Sequence, residues 1–145
     1  MKRYRHILLG CDFSKNFSSV VERASTLARQ QKARLTLLHV VEPLPSYGYA
    51  FTGASEVELG LINAGKEKLK QQAEELKIAD EDAHLELGSA KVHIVDFASN
   101  HDCDLIILGS HNHSPLLRLL GSTATSVIAR AHCDVLTVRI DEQDD

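Results

Sequence analysis

The chain has 145 residues, a length that fits one domain, since domains commonly contain about 100–200 residues. The formal net charge is −4, from 16 Lys and Arg against 20 Asp and Glu, which excludes a general basic surface for nucleic acid. Hydrophobic residues make up 43% and charged residues 25%, which excludes wholesale disorder. No apolar run approaches the ~20 residues that span a bilayer. We therefore expect one domain over residues 1–145 that binds neither nucleic acid nor membrane.

The N terminus and the cysteines predict a cytoplasmic location. The basic residues 1–5 precede an apolar stretch that is too short for the core of a signal peptide, and no small-residue cleavage site follows. The three cysteines, Cys11, Cys103 and Cys133, form no Cys-x-x-Cys pair. An odd, scattered set is typical of reduced, buried thiols rather than of a disulfide framework or a zinc ribbon.

Short apolar runs along the chain predict five strands. Consecutive apolar residues indicate strands buried on both faces at residues 6–11, 35–41 and 104–109. Alternating apolar and polar residues indicate strands with one wet face at residues 83–88 and 133–140.

Longer segments with a helical period separate these strands. Apolar residues that recur every three or four positions predict helices at residues 17–31, 55–76, 90–100 and about 117–131. Prolines, glycines and aromatic residues predict a long loop at residues 42–54, and long loops in compact domains are often functional.

The helix predicted at residues 55–76 contains part of a phosphate-loop pattern. Residues 60–66 fit Gly-x(4)-Gly-Lys, but Glu67 stands where that motif has Ser or Thr. The pattern also lies inside an apolar helical stripe that begins with Val57 and Leu61, rather than between a strand and a helix. We therefore interpret it as a chance match.

Strands that alternate with helices predict an α/β fold, with right-handed crossovers and an open parallel sheet that helices cover on both faces. Because fully apolar strands belong at the centre of such a sheet, we expect five strands in the order 3-2-1-4-5. Strands 1 and 4 then flank the point where the strand order reverses. Ligands of open α/β sheets bind there, beyond the carboxyl ends of the strands.

Two segments meet at this reversal point in the predicted fold. Residues 10–12 (Gly-Cys-Asp) follow strand 1, and residues 109–114 (Gly-Ser-His-Asn-His-Ser) follow strand 4 and lead to residues 121–123 (Gly-Ser-Thr). Glycines let a backbone approach a phosphate closely, and amides at the start of a helix bind anions. The alternative is that the glycines only shape turns and that Asp12 only caps the first helix.

Metal chemistry and nucleophilic catalysis have weaker support. His111 and His113 lack a third ligand at a fixed spacing, so solvated loop histidines are the favoured interpretation, with a position of one of them near a phosphate as an alternative. The sequence has no Gly-x-Ser-x-Gly elbow, and no Ser-His-acid set stands out.

The last strand is expected to form an exposed edge with apolar side chains at Val135, Leu136, Val138 and Ile140. An unprotected edge invites a strand from an identical chain. We therefore predict a two-fold homodimer through the C-terminal edge strand.

Four segments resemble the universal stress protein family over essentially the whole chain. They are residues 6–14 (His-Ile-Leu-Leu-Gly-Cys-Asp-Phe-Ser), 35–40 (Leu-Thr-Leu-Leu-His-Val), 103–111 (Cys-Asp-Leu-Ile-Ile-Leu-Gly-Ser-His) and 133–138 (Cys-Asp-Val-Leu-Thr-Val). The acidic residues after the last strand resemble the A-type bacterial members. The resemblance implies a Rossmann-like fold of the adenine nucleotide alpha hydrolase-like kind.

The family has two branches, and the sequence falls between them. One branch binds ATP through Gly-x-x-Gly-x(9)-Gly-Ser/Thr, while the A-type branch lacks this pattern and is not known for nucleotide binding. Gly109 matches the first glycine and Gly121 with Ser122 the last pair, but Asn112 replaces the second glycine and only eight residues separate it from Gly121. The retained pair favours nucleotide binding, whereas the substitution and the shorter loop favour weakened or altered binding.

The resemblance implies a nucleotide site at Gly10, Asp12, Val40, Leu108, Gly109, Asn112, Gly121, Ser122 and Thr123. In that site the backbone of Val40 would bond an adenine, and Asp12 would take the acidic position near the ribose or the phosphates. A carboxylate there repels phosphate unless it meets ribose hydroxyls or a Mg²⁺ ion. The resemblance allows ATP or AMP as a ligand and Mg²⁺ beside it, and it requires neither.

We therefore expect a cytoplasmic, homodimeric member of this family that binds an adenine nucleotide as a regulatory ligand in the stress response. It would not be an enzyme, apart from weak ATPase turnover at most, because no general base or arginine-and-magnesium clamp is evident. The alternative is a nucleotide-free A-type dimer that acts through protein partners. A nucleotide domain like that of electron-transfer flavoproteins is a third interpretation, which the lack of a second domain disfavours.

Overall fold

The computed structural model describes residues 3–43, 53–111 and 123–140, with the side chains of residues 53–55 left aside. Three residues of the predicted site, Asn112, Gly121 and Ser122, lie outside these ranges. So do most of the predicted long loop and residues 117–122 of the predicted last helix.

The described residues form a five-stranded parallel sheet in the order β3-β2-β1-β4-β5, which confirms the predicted order. The strands are β1 (His6–Gly10), β2 (Arg34–Val41), β3 (Ala83–Leu87), β4 (Leu105–His111) and β5 (Asp134–Ile140). The described helices are α1 (Ser18–Gln31), α2 (Gly53–Leu76), α3 (Ala90–Asn100) and α4 (Thr123–Arg130), and a short 3-10 turn (Asp80–Asp82) precedes β3.

The side chains of the sheet alternate between two hydrophobic cores, because successive residues of a strand point to opposite faces. In β1, Ile7 and Leu9 belong to the core under α1 and α2, and Leu8 belongs to the core under α3 and α4. The helix residues that close these cores are Val20, Val21, Ala24, Ala28, Leu69 and Ala73 on the first face, and Ile94, Phe97, Ala98, Ala124 and Val127 on the second. Both faces of the sheet are therefore covered, as the apolar strands predict.

Two further features concern the cysteines and the helices that could span a membrane. Cys11 and Cys103 are buried and Cys133 is partly buried, and all three are free thiols. In the described part of the chain, no helix is both long enough and apolar enough to cross a bilayer.

Helix α2 buries only the second half of the predicted stripe. Val57 and Leu61 are 53% and 43% exposed, so the prediction that they begin the buried stripe is wrong. The contact with the sheet is made by Leu69 and Ala73 of the predicted stripe, together with Gly65. The period of a sequence defines the faces of a helix but not which turns of the helix reach the sheet. The pattern at residues 60–66 lies within α2, as its interpretation as a chance match requires.

Gly60 and Gly65 of α2 differ in surroundings, and this difference predicts opposite effects of the same substitution. A Cβ at Gly60 would meet nothing within 4 Å, whereas a Cβ at Gly65 would lie 2.8 Å from Cδ2 of His39 and 3.2 Å from Cδ1 of Leu85. Gly60→Ala should raise the free energy of unfolding by about 0.5–1 kcal/mol, because alanine favours the helix. Gly65→Ala should lower it by about 1–2 kcal/mol, because overpacking outweighs the gain in helix propensity.

Urea unfolding of the two variants tests this assignment, and each variant is the control for the other. Equal shifts of the same sign would contradict the close packing of Gly65 on the sheet.

Candidate functional site

A cavity opens at the carboxyl ends of β1, β2 and β4, where the order of the strands reverses. Its space holds about 470 Å³ when the mouth open to solvent is included. Six of the nine predicted site residues line it together: Gly10, Asp12, Val40, Leu108, Gly109 and Thr123. The remaining three lie outside the described residues.

Five further residues of the cavity wall are not among the nine predicted site residues. These are Cys11, Leu38, Ala90, Ile94 and Ala124. Cys11 lies between Gly10 and Asp12, and Leu38 lies two positions before Val40 on β2. Their proximity in sequence to predicted site residues was therefore a usable signal. The contribution of α3 had no such signal, because it depends on how closely this helix approaches the sheet.

Gly10 and Gly109 both line the cavity, but a larger side chain at each position would meet different neighbours. A Cβ at Gly10 would come within 2.5 Å of Cδ2 of Leu108, on the cavity side of the sheet. A Cβ at Gly109 would instead meet Cδ1 of Ile140 at 2.6 Å and Cγ2 of Val20 at 3.2 Å, under α1. Gly109 lies within β4, so it shapes no turn, and it is required by packing on the face away from the cavity.

The chain after β1 is held against β2 by two hydrogen bonds. The backbone amide of Cys11 donates to the carbonyl of Leu38 at 2.8 Å, and Nδ1 of His39 lies 2.6 Å from the carbonyl oxygen of Cys11. Since a carbonyl only accepts, Nδ1 of His39 carries the proton. The ring of His39 also packs on Phe13 with a centroid distance of 4.9 Å. These contacts fix the position from which Asp12 faces the cavity.

Asp12 does not cap α1, so that alternative is wrong. The helix begins at Ser18, and its N-cap residue, Phe17, makes no side-chain capping bond. Oδ1 of Asp12 accepts hydrogen bonds from the amide and the hydroxyl of Ser14, at 3.0 and 2.8 Å. Asp12 therefore stabilises the turn between β1 and α1.

His111 is the second partner of Asp12, and the prediction of a solvated loop histidine is wrong for this residue. It is the last residue of β4, and its side chain is 23% exposed. Nε2 of His111 lies 2.9 Å from Oδ2 of Asp12 and 3.2 Å from Oγ of Ser14. The predicted strand order places both residues at the reversal point, but the sequence does not specify that their side chains pair there.

Ser14, His111 and Asp12 form a Ser-His-acid cluster, but its hydrogen bonds run in the wrong direction for nucleophilic catalysis. The single hydroxyl hydrogen of Ser14 is donated to Asp12, so Oγ of Ser14 accepts from Nε2 of His111. A catalytic base would have to accept the hydroxyl proton instead. The cluster is therefore a charged, hydrogen-bonded arrangement beside the cavity rather than an activated nucleophile.

The N terminus of α3 carries its own carboxylate. Ser89 is the N-cap residue of α3, but its side chain makes no capping bond. Oε2 of Glu42 accepts the amide of Ala90 at 2.9 Å instead. The carboxylate of Glu42 therefore already neutralises the partial positive charge at the N terminus of α3.

The described residues contain no group of three or more His, Cys, Asp or Glu side chains placed to hold a metal ion.

Burial and hydrogen bonding act on the carboxyl of Asp12 in opposite directions. Burial raises its pKa, whereas the hydrogen bonds from His111 and Ser14 lower it, and the net pKa lies below the ordinary value of 3.8. The side chain remains 47% exposed, so solvent screens part of the attraction to His111.

This pKa predicts an acid dependence of stability. Because the folded-state pKa lies below the unfolded-state value, the contribution of Asp12 is complete above that value and is lost as the pH falls through the folded-state pKa. Asp12→Asn should therefore lower the free energy of unfolding near neutral pH, and the difference from wild type should shrink below about pH 4.

Denaturant unfolding across this pH range, with Asp96→Asn on the exposed side of α3 as the matched control, measures the effect. A difference between Asp12→Asn and wild type that stays constant as the pH falls would rule out this contribution.

The sheet order and the cavity at its reversal point define an α/β protein of the Rossmann-like class, with the adenine nucleotide alpha hydrolase-like fold. The sequence model of the universal stress protein family matches residues 3–139. The chain therefore belongs to the universal stress protein family.

Relatives and solved structures are similar to this chain over almost its whole length. Universal stress protein A homolog 2 of Coxiella burnetii is 38% identical over 143 residues, which are 97% of this chain and 98% of the relative. Homolog 1 of the same organism is 33% identical over 142 residues, covering 96% and 99% of the two chains. The structure of universal stress protein UspA from Lactobacillus plantarum superposes with a TM-score of 0.77 at 26% identity, covering 96% of this chain and all of the other.

Proposed function

We propose that this chain binds an adenine nucleotide in the cavity as a regulatory ligand of a cytoplasmic stress response, without catalysing its turnover. The observation that carries the proposal is the cavity itself, which lies at the reversal point of the sheet and is lined by six of the residues expected for a nucleotide. A structural neighbour at 23% identity, a universal stress protein, was solved in complex with cAMP.

The chemistry of the lining supports one orientation of the ligand. Leu38, Val40 and Ile94 offer an apolar wall for the adenine ring. Asp12 offers carboxylate oxygens to ribose hydroxyls, at the end of β1. Because Glu42 occupies the start of α3, the phosphates would lie on the other side, between Gly109 and the start of α4 at Thr123.

Binding without turnover is supported by the polarity of the cluster beside the cavity. His111 donates its Nε2 proton to Asp12 and Ser14, so it does not serve as a base for the Ser14 hydroxyl. The ligand would then act by changing the conformation or the contacts of the protein.

Calorimetry and thermal shift with ATP, AMP and adenosine test the proposal. Ala90→Leu should weaken ATP binding by at least about tenfold, because the larger side chain fills the cavity wall at the start of α3. Ala131→Leu is the matched control, since Ala131 is also partly buried but does not line the cavity. The absence of both heat and thermal shift at millimolar nucleotide would refute nucleotide binding and favour a nucleotide-free protein that acts through protein partners.

We also propose that two chains associate through β5, which is an edge strand of the sheet. The predicted apolar edge needs a correction, because Val138 and Ile140 are already buried under α1 within one chain. What the edge offers to a second copy is its backbone hydrogen-bonding groups, together with the partly buried Val135 and Leu136.

Light scattering at tens of micromolar, a range in which interfaces of standard size associate, should give roughly twice the chain mass of 16.0 kDa. A mass of one chain at this concentration would refute the dimer. Nucleotide binding is measured separately and does not depend on the result.

A further inference from the structure

Another cavity lies on the face of the sheet that α3 and α4 cover, and two of the three cysteines line it. Its space holds about 480 Å³ when the mouth open to solvent is included. Cys103 and Cys133 line it together with Val95, Ala98, Ser99, Asp102 and His132. Because the two cysteines precede β4 and β5, this cavity lies at the amino ends of these strands, away from the cavity proposed for the nucleotide.

The register of the sheet brings the two thiols to neighbouring positions. The ladder between β4 and β5 begins with Leu105 opposite Asp134. Cys133 lies one position before this pair, and Cys103 lies two positions before it. The amide of Asp104 still donates to a carbonyl of β1 at 2.9 Å, so the chain follows the path of the strand up to that residue. Adjacent strands about 4.8 Å apart and an offset of one residue place the two Cα atoms about 6 Å apart, which is a separation that a disulfide spans.

Both cysteine side chains face the same hydrophobic core. Cys103 is 6% exposed and belongs to the core under α3 and α4, and the partly buried Cys133 packs against that core. The described residues contain no group of three His, Cys, Asp or Glu side chains placed to hold a metal ion. The chemistry that this cavity offers is therefore that of two adjacent thiols.

The pKa values of the two thiols determine how such a pair reacts. Burial, and after it the neighbouring thiol of Cys133, raise the pKa of Cys103 to about 12, and burial also raises the pKa of Cys133. Since only the thiolate attacks a disulfide, exchange at neutral pH is slow. The reduced pair also gains no stability from a thiolate, so a disulfide between these residues resists reduction once it has formed.

Exposure determines which thiol meets a reagent first. Cys133 is partly exposed and follows the exposed His132, which also lines the cavity. Cys103 is buried, so the sulfur of Cys133 reaches it more readily than a reagent from solvent does. Cys133 is therefore the entry point, and Cys103 is the thiol that completes the reaction.

We propose that Cys103 and Cys133 form a redox modification site, which a small-molecule disulfide converts into an intramolecular disulfide. The thiolate of Cys133 attacks one sulfur of the reagent, the S–S bond of the reagent breaks, and the released thiolate takes up the proton that Cys133 lost. The thiolate of Cys103 then attacks the sulfur of Cys133 in the mixed disulfide, and the second half of the reagent leaves with the proton of Cys103. Two electrons pass from the protein to the reagent, which leaves as two thiols.

This inference goes beyond nucleotide binding and does not depend on it. In a reducing compartment the pair stays reduced until the pool of small disulfides rises, which is how a redox-sensing pair behaves.

The test incubates the reduced full-length protein with oxidised glutathione at about pH 8, where more thiolate is present than at neutral pH. Acid quenching, alkylation and intact-mass measurement then count the free thiols. Wild type should change from three alkylated cysteines to one and retain no glutathione. Peptide mapping without reduction should find the segments of Cys103 and Cys133 joined within one chain. Three free thiols, a stable glutathione adduct or a bridge that includes Cys11 would overturn the proposal.

Serine variants assign the order of the two steps. Cys103→Ser should retain one glutathione on Cys133, because no second thiol displaces it, whereas Cys133→Ser should retain none. Cys11→Ser is the matched control, since Cys11 is also buried but belongs to the other core, and this variant should form the bridge as wild type does. Loss of the bridge in Cys11→Ser, or a bridge in either of the other variants, would contradict the assignment. The mapping of wild type tests the proposal even where a variant does not fold.

Discussion

The reversal of strand order between β1 and β4 is the constraint on which the site depends. Right-handed crossovers lead from β1 towards β2 on one side of the sheet and from β4 towards β5 on the other. Helix α1 follows β1 and helix α4 follows β4. Because the two crossovers lead to opposite sides of the sheet, these helices lie on opposite faces and pack in different hydrophobic cores. Between their starts, none of the described helices covers the strand ends, which is why a cavity opens there.

The same constraint explains why the polar residues of the site are held by side-chain contacts rather than by regular structure. Beyond β1 the chain loses its ladder partners, and Cys11, His39 and Leu38 replace them with two local hydrogen bonds. Asp12 and Ser14 then complete the turn, with left-handed backbone conformations at Phe13 (φ 52°) and Asn16 (φ 66°). A carboxylate held in this way can face a ligand without first being ordered by it.

The sequence predicted the sheet order and the reversal point, because both follow from apolar runs, periodicity and the handedness of crossovers. It placed residues 10–12 and 109–114 at the same point, but it could not predict that the side chains of Asp12 and His111 pair there, since side-chain orientation depends on the folded backbone. It also could not tell why a glycine stands at a position. Gly10 and Gly109 carry the same signal, yet one lies against the cavity side of the sheet and the other packs under α1.

The residues that line the cavity come from several parts of the chain, whereas the glycine motif that distinguishes the two branches of the family lies in one segment. The motif that distinguishes the branches covers only the segment after β4, whereas the wall from Leu38, Val40 and Ile94 and the carboxylate of Asp12 come from other parts of the chain. In the proposed binding mode, this wall contacts the adenine and Asp12 contacts the ribose. A change in the motif therefore acts at the phosphate end and leaves the recognition of the nucleoside in place.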